Sequence, residues 1–223
     1  MNEPRRWSPG IGVILVFTAI YMAAAIVGAV STGNSEFVFY IGVMLVLIAL
    51  VGVIHWQVGL STPVLAALSV WGLLHMAGGL VPVPESWPID GKIRVLYSWW
   101  IVPGRLKYDQ LVHAYGFGVT TCVAWEALRF SIAWRVGKRP PEVAPTAPWL
   151  LLCGVAGMGF GALNEVVEFA ATLLMAETNV GGYENTGWDL VSNGLGCALA
   201  AIGLWINSRR RASANGSPAG KRS

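Results

Sequence analysis

Charge is what this sequence has least of. Only 12% of its 223 residues are Asp, Glu, Lys or Arg, against about 25% in an average soluble domain. The charge is missing from long stretches and gathered at their ends, and the mean hydropathy is +0.57. A nucleic-acid-binding reading fails as well. The net charge of +3 comes from cations that flank apolar stretches and form no basic folded face. There is no CxxC. Cys122, Cys153 and Cys197 each lie among apolar neighbours, where small packed hydrophobes are expected rather than disulfides or thiolate ligands. The chain also lacks a long-period repeat and any specific metal signature of the HExxH type.

What the sequence does have is long apolar runs. A bilayer core about 30 Å thick needs about 20 apolar residues per helix. Six segments qualify: Ile11–Val30, Phe37–Ile54, Pro63–Leu80, Tyr108–Trp134, Pro148–Met175 and Gly187–Ile206. The expected fold is therefore all-α, a polytopic membrane protein of about six transmembrane helices. It divides into a cytoplasmic N-terminus (1–10), a single six-helix membrane domain (11–207) and a disordered cationic cytoplasmic tail (208–223). Arg5 and Arg6 precede the first apolar run. That run is longer than a signal-peptide core and is read as an uncleaved helix. The tail "NSRRRASANGSPAGKRS" has nothing to bury and is expected to lie near anionic lipid headgroups.

Sidedness follows from Lys and Arg near the helix ends. With both termini cytoplasmic, eleven cations fall inside and four outside; the four are Lys92, Arg94, Arg105 and Lys107. All four dissenters lie in one connection, Val81 to Lys107, which also carries Pro82, Pro84, Pro88 and Pro103. Its mixture of cations with Trp87, Trp99 and Trp100 suits an element lying in the interface. The alternative is a lid over a site on the outer face. The loop "RVGKRPPEVAPTAP" reads as a cytoplasmic connector. Gly157 and Gly161, with the pairs Gly194/Ala198 and Gly196/Ala200, allow close helix approach and are expected to bring the fifth and sixth helices together.

Against this apolar background, a few polar residues stand out. Asp109 and His113 lie in "YDQLVHAYGFG", Asn164, Glu165 and Glu168 in "GALNEVVEFA", Asp189 and Asn193 in "GWDLVSNGLG", and His75 in "LLHMAGGL". An ionisable group in the bilayer costs roughly 2.5–3.5 kcal/mol on insertion scales, and such groups usually face a bundle interior and serve a function. Residues four apart share a helical face, so three helices each present a polar stripe. The topology puts all of them at one depth, in the outer half of the bilayer. Glu126 lies at the other end of its helix, near Arg129, and is expected to be an interfacial ion-pair partner.

Three uses of the cluster remain open. His, Asp and Glu are the ligands that zinc, iron or manganese take. Crowded carboxylates at low dielectric cannot all ionise, which suits them to acid–base chemistry. Alternatively, the groups satisfy one another and fix helix register. In the metal version Asp109, His113, Glu168 and Asp189 are the ligands, with Glu165 and His75 as general base or fifth ligand. A small proton-coupled transporter using Glu165 and Glu168 is the rival from another class, although no mid-membrane helix break or inverted repeat is visible.

At these residues the chain resembles the bacterial YjdF-like inner-membrane proteins. "LLHMAGGL", "YDQLVHAYGFG", "NEVVEFA" and "GWDLVSNGLG" occur in the same order within a six-helix frame, over roughly Leu73 to Ala200. More distantly it resembles the VanZ-like family, with its His, its Glu and its final Asp-x3-Asn before Gly. The resemblance implies the fold, polar positions at His75, Asp109, His113, Glu165, Glu168 and Asp189, and a bacterial inner-membrane location. It also points by analogy to cell-envelope chemistry, because VanZ-like proteins are associated with glycopeptide-antibiotic resistance. The chain departs from the YjdF-like pattern at "GLVPVP", Thr186 and Asn193. The expected partners are membrane lipid and a lipid or lipid-linked substrate, with no nucleic acid.

Overall fold

A computed structural model describes residues 7–175 and 178–216. Six long helices follow one another: α1 (Pro9–Thr32), α2 (Ser35–Val58), α3 (Thr62–Leu80), α4 (Tyr108–Arg135), α5 (Ala147–Leu174) and α6 (Tyr183–Gly216). The first five expected spans are recovered within four residues at either end, and the sixth, expected over Gly187–Ile206, runs on to Gly216. The protein is an all-α polytopic membrane protein. Local chemistry sets the ends. Pro9 opens α1, where a missing N–H costs nothing, and Gly33 closes it at φ 65°, a conformation that favours glycine. The Asn34 side chain accepts from the backbone N–H of Phe37 at 3.0 Å and caps α2.

Five of the six helices are long and apolar enough to cross a membrane by composition alone; the remaining one is α4. Its 28 residues give about 42 Å of helix, more than the bilayer core requires. α4 is polar because it sits inside the bundle, packed on α3, α5 and α6. Its buried positions include Gln110, His113, Phe117, Thr121 and Trp125. α1 presents a broader outward face, with Val13, Val16, Ile20 and Val27 all more than 60% exposed. α1 packs on α3, and Thr18 and Ser69 share a hydrogen bond of 2.6 Å between them.

Small residues let the helices around α4 approach one another. A Cβ on Gly157 would strike Thr121 of α4 and Cys197 of α6, and one on Gly161 would strike Asn193 of α6. The expected contact between α5 and α6 is therefore present. The closest crossing, however, is between α4 and α6, where a Cβ on Gly196 would run into the backbone carbonyl of Ala114 and one on Gly118 would meet the carbonyl of Gly196. Gly194 faces Met158 of α5, so neighbouring glycines of α6 serve two different partners.

Two expectations change here. Glu126 is bonded to Ser61: Oε2 accepts from the Ser61 N–H at 2.7 Å and Oε1 from its hydroxyl at 2.6 Å. This carboxylate holds the N-terminus of α3, where the helix dipole favours negative charge. Arg129 instead donates to the Pro140 carbonyl. The stretch from 208 was expected to be disordered, but α6 continues to Gly216. Arg209, Arg210, Arg211 and Ala212 are good helix formers and simply extend an existing helix. The rest of that tail, 217–223, and the cations Arg5 and Arg6 lie outside the described residues.

The α4–α6 crossing gives a direct prediction. Gly196→Val should cost at least the 1–3 kcal/mol typical of overpacking, because the obstacle is backbone. Gly203, with open space around its Cα, is the control. Thermal unfolding in detergent should fall sharply for Gly196→Val and stay level for Gly203→Ala.

Candidate functional site

The connection between α3 and α4 is folded. Pro82 bridges Val95 and Ile89 bridges Trp99, both antiparallel. A short hairpin then pairs β1 (Trp100–Val102) with β2 (Leu106–Lys107), leading directly into α4. Trp87 and Trp99 stack with ring centroids 4.3 Å apart. A 3-10 turn at Leu96–Ser98 drives Tyr97 down onto Gly78, where any Cβ would collide with its ring. The Tyr97 hydroxyl bonds to His75 Nδ1. This segment is thus a cap seated on the ends of α3 and α4. Two other connections meet it at the same end of the bundle. Ser98 Oγ donates to Asn179 Oδ1 at 3.1 Å, and both Glu36 oxygens accept from the Asn179 N–H at 3.0 Å.

Beneath the cap lies a cavity of about 1130 Å³. Its rim includes Lys92 and Arg105, its wall includes Tyr40, His75 and Tyr97, and its floor reaches Asp109 and Glu168.

His113 is the centre of the polar cluster at that floor. Nε2 lies 3.6 Å from Asp109 Oδ1 and 3.8 Å from Glu168 Oε1. Nδ1 lies 3.1 Å from Asn193 Oδ1 and 3.6 Å from Glu165 Oε1. Two sets of donor atoms fall within 4.8 Å of one another: Asp109, His113 and Asp189, and His113, Glu165 and Glu168. Asp189 and Asn193 are fully buried, and the Glu165 side chain is 9% exposed.

Amides hold part of this cluster. Asn164 Nδ2 donates to Glu168 Oε1 at 2.7 Å, and Asn185 Nδ2 donates to Asp189 Oδ2 at 2.5 Å. Asn185 also receives the Lys107 ammonium, which lies 3.4 Å from Asp90. A continuous polar chain therefore runs from the cap to Asp189. Other atoms are left over. Asp189 Oδ1 and Asn193 Nδ2 are buried without a hydrogen-bond partner among the described residues, and the Glu165 oxygens, with Asn164 and Thr186 beside them, make no hydrogen bond of good geometry there. Buried polar groups are nearly always paired, so unpaired carboxylate oxygens mark a place where something else binds.

Of the six residues singled out from the sequence, Asp109, His113, Glu165, Glu168 and Asp189 come together at one end of the bundle. His75 joins neither set of donor atoms. It sits beside the cluster in an aromatic enclosure of Phe37, Tyr40, Trp71 and Tyr97, with centroids 5.6–6.4 Å away. Asn185 was missed, although it stands four residues before Asp189 and so shares its helical face. Glu36, Tyr40, Tyr97 and Lys107 carry no local signal of their roles, because their partners are distant in sequence.

Fold and cluster together define a polytopic α-helical membrane protein with a buried polar site under a folded cap. Over residues 13–210 the chain matches the family described as Predicted membrane protein (DUF2238), and it belongs to that family. No curated protein and no solved structure matches it.

The Asn193 amide has a measurable structural weight. Asn193→Ala strips His113 Nδ1 of its partner in a fully buried setting, an uncompensated loss of about 1–3 kcal/mol. Thermal unfolding of the purified variant should show that destabilisation; unchanged stability would mean the amide does not hold the ring.

Proposed function

We propose that the cluster binds a divalent cation and that the protein is an intramembrane enzyme acting on a lipid or lipid-linked envelope substrate. The observation that carries this reading is Asp189, fully buried, whose Oδ1 lacks a hydrogen-bond partner among the described residues and which shares one set of donor atoms with His113 and Asp109. Four carboxylates against one imidazole leave an excess of negative charge, and uncompensated buried charge costs several kcal/mol per ion. A cation supplies the missing compensation.

The donors fit. If the Asn193 carbonyl oxygen accepts from Nδ1–H, His113 keeps its Nε2 lone pair for the metal. Nε2 stands 3.6 Å from Asp109 Oδ1 and 3.8 Å from Glu168 Oε1, one oxygen from each of the two sets of donor atoms. Ligands around a tetrahedral ion with bonds of about 2.1 Å are about 3.4 Å apart. Asp189, with Oδ2 held by Asn185, offers Oδ1. The absence of thiolates and the N/O donor set favour zinc, iron or manganese. A bound ion of this kind polarises a substrate oxygen or activates water. Glu165 approaches the other side of the ring, at Nδ1, which suits it to act as a general base rather than a ligand.

The uninterrupted α4, α5 and α6 favour this reading over a transporter, in which broken helices commonly form the site. The motif order shared with YjdF-like and VanZ-like proteins supports a bacterial inner-membrane location and envelope chemistry. The excess of cations on one side supports cytoplasmic termini, with the cap facing outward.

Metal analysis of protein purified without chelators tests the proposal. The wild type should carry about one equivalent, because the two sets of donor atoms share His113. Asp109→Ala/His113→Ala should lose it, while Glu165→Gln keeps it. A metal-free wild type that takes up no zinc, iron or manganese on addition would sink the reading.

A further inference from the structure

The cavity above the cluster contains polar groups that the cation site does not use. The Tyr40 hydroxyl is buried without a hydrogen-bond partner among the described residues, and Tyr40 lines the cavity together with His75, Asp109 and Glu168. Its ring stands edge-on to that of His75, with centroids 5.8 Å apart. His75 Nδ1 is taken by Tyr97. Its Nε2 has no hydrogen-bond partner among the described residues, and His75 lines the cavity.

The tautomer of His75 follows from the Tyr97 hydroxyl. Burial pushes that phenol well above its ordinary value, so it keeps its proton. His75 Nδ1 is its one hydrogen-bond partner among the described residues. With the proton on Nε2, the Tyr97 hydroxyl and His75 Nδ1 pair with each other within the protein, as buried polar groups usually do. Tyr97 therefore donates, Nδ1 accepts, and Nε2 carries the hydrogen. A protonated Nε2 cannot ligate a metal or take up a proton as a base. His75 and Tyr40 each present a donor to the same cavity.

Two features indicate the ligand's charge and source. Lys92 and Arg105 sit exposed on the rim, and among the described residues neither has an ion-pair partner. The acidic residues Glu36 and Asp90 also line the cavity, but the first is held by the Asn179 N–H and the second lies 3.4 Å from Lys107. Asp109 and Glu168 also line it and belong to the proposed cation site, which leaves Glu184 as the remaining acidic group. The cap closes the ends of two spanning helices, α3 and α4, and therefore lies at headgroup level.

We propose that this cavity is the headgroup pocket for a phosphate-bearing lipid, with Tyr40 Oη and His75 Nε2 holding a phosphate oxygen and Lys92 and Arg105 drawing the anion in. This names the substrate class for the proposed cation site and rests on that reading only for the chemistry, not for the binding.

Short-chain dihexanoyl phosphatidic acid is the probe, followed by tryptophan fluorescence of the full chain in detergent, with Trp71 and Trp100 near the pocket. Dihexanoylglycerol has the same esters without the phosphate, and inorganic phosphate has the anion without the lipid. The wild type should bind phosphatidic acid at least about tenfold more tightly than either. Tyr40→Phe keeps the ring and its packing and removes one hydrogen bond to a charged acceptor, so affinity should fall about tenfold or more. Unfolding temperature and metal content should not change. Lys92→Gln/Arg105→Gln should weaken binding mainly at low salt.

Equal affinity for dihexanoylglycerol would overturn the phosphate assignment, and equal affinity for inorganic phosphate the lipid assignment. Unchanged binding by Tyr40→Phe would remove the donor pair. If Tyr40-dependent binding persists in protein that never holds metal, the cation reading fails and this one stands. Bound metal with a Tyr40→Phe variant that binds normally would mean the reverse.

Discussion

Everything at the capped end of this bundle depends on keeping five ionisable side chains together away from water. Asp109, His113, Glu165, Glu168 and Asp189 come from three helices. Charges of this kind tolerate burial only with partners close enough to compensate them. Reach is therefore the controlling requirement. Carboxylate side chains are short, so the helices that carry them must approach closely. Glycine provides that approach: Gly118 and Gly196 at the α4–α6 crossing, and Gly157 and Gly161 where α5 meets both. The small residues and the acidic residues are two parts of one arrangement. Widening the crossing would leave the carboxylates buried and apart.

The same requirement explains why α4 is the least apolar of the long helices. A helix packed on three others keeps only a narrow outward face, at Leu111, Tyr115 and Trp134, and can carry Gln110, His113 and Thr121 inward. α1 and α2 bear more of the lipid contact and shield the cap end through Phe37, Tyr40 and Met44. The cap finishes the enclosure. Lys107 reaches Asn185, which in turn fixes Asp189, so the first residue before α4 helps to position a carboxylate on α6.

Much of this was legible as periodicity. Apolar runs of bilayer length marked the six helices because composition and length are local properties. Asp109 with His113, and Asp189 with Asn193, were legible because a spacing of four fixes a shared face. Their common end followed from alternating helix direction. What escaped were contacts between residues far apart in the chain. Nothing around Glu126 tells that its partner is Ser61, 65 positions away, and proximity in sequence favoured Arg129. Tyr97 lies in a proline-rich connection whose tryptophans point to an interfacial element. Only the folded cap turns that tyrosine toward His75. The tail from 208 read as disordered because its composition offers nothing to bury, yet a helix already nucleated by α6 needs only favourable propensity to continue.

The two histidines at this end show how little the residue type decides. His113 and His75 both lie on helices flanking the cavity and both are held at Nδ1, but by opposite partners. At His113 the Nδ1 partner is an amide oxygen, Asn193 Oδ1 at 3.1 Å, which can only accept and so requires the proton on Nδ1. At His75 it is a phenol that must donate, which requires the proton on Nε2. One ring then turns a lone pair toward Asp109 and Glu168, while the other turns a hydrogen toward the cavity. A lone pair among carboxylates suits a cation, and a hydrogen beside the unpaired Tyr40 hydroxyl suits an anionic oxygen. The neighbours at Nδ1 thus give two rings at one end of the bundle opposite faces, an acceptor beside the carboxylates at His113 and a donor at His75.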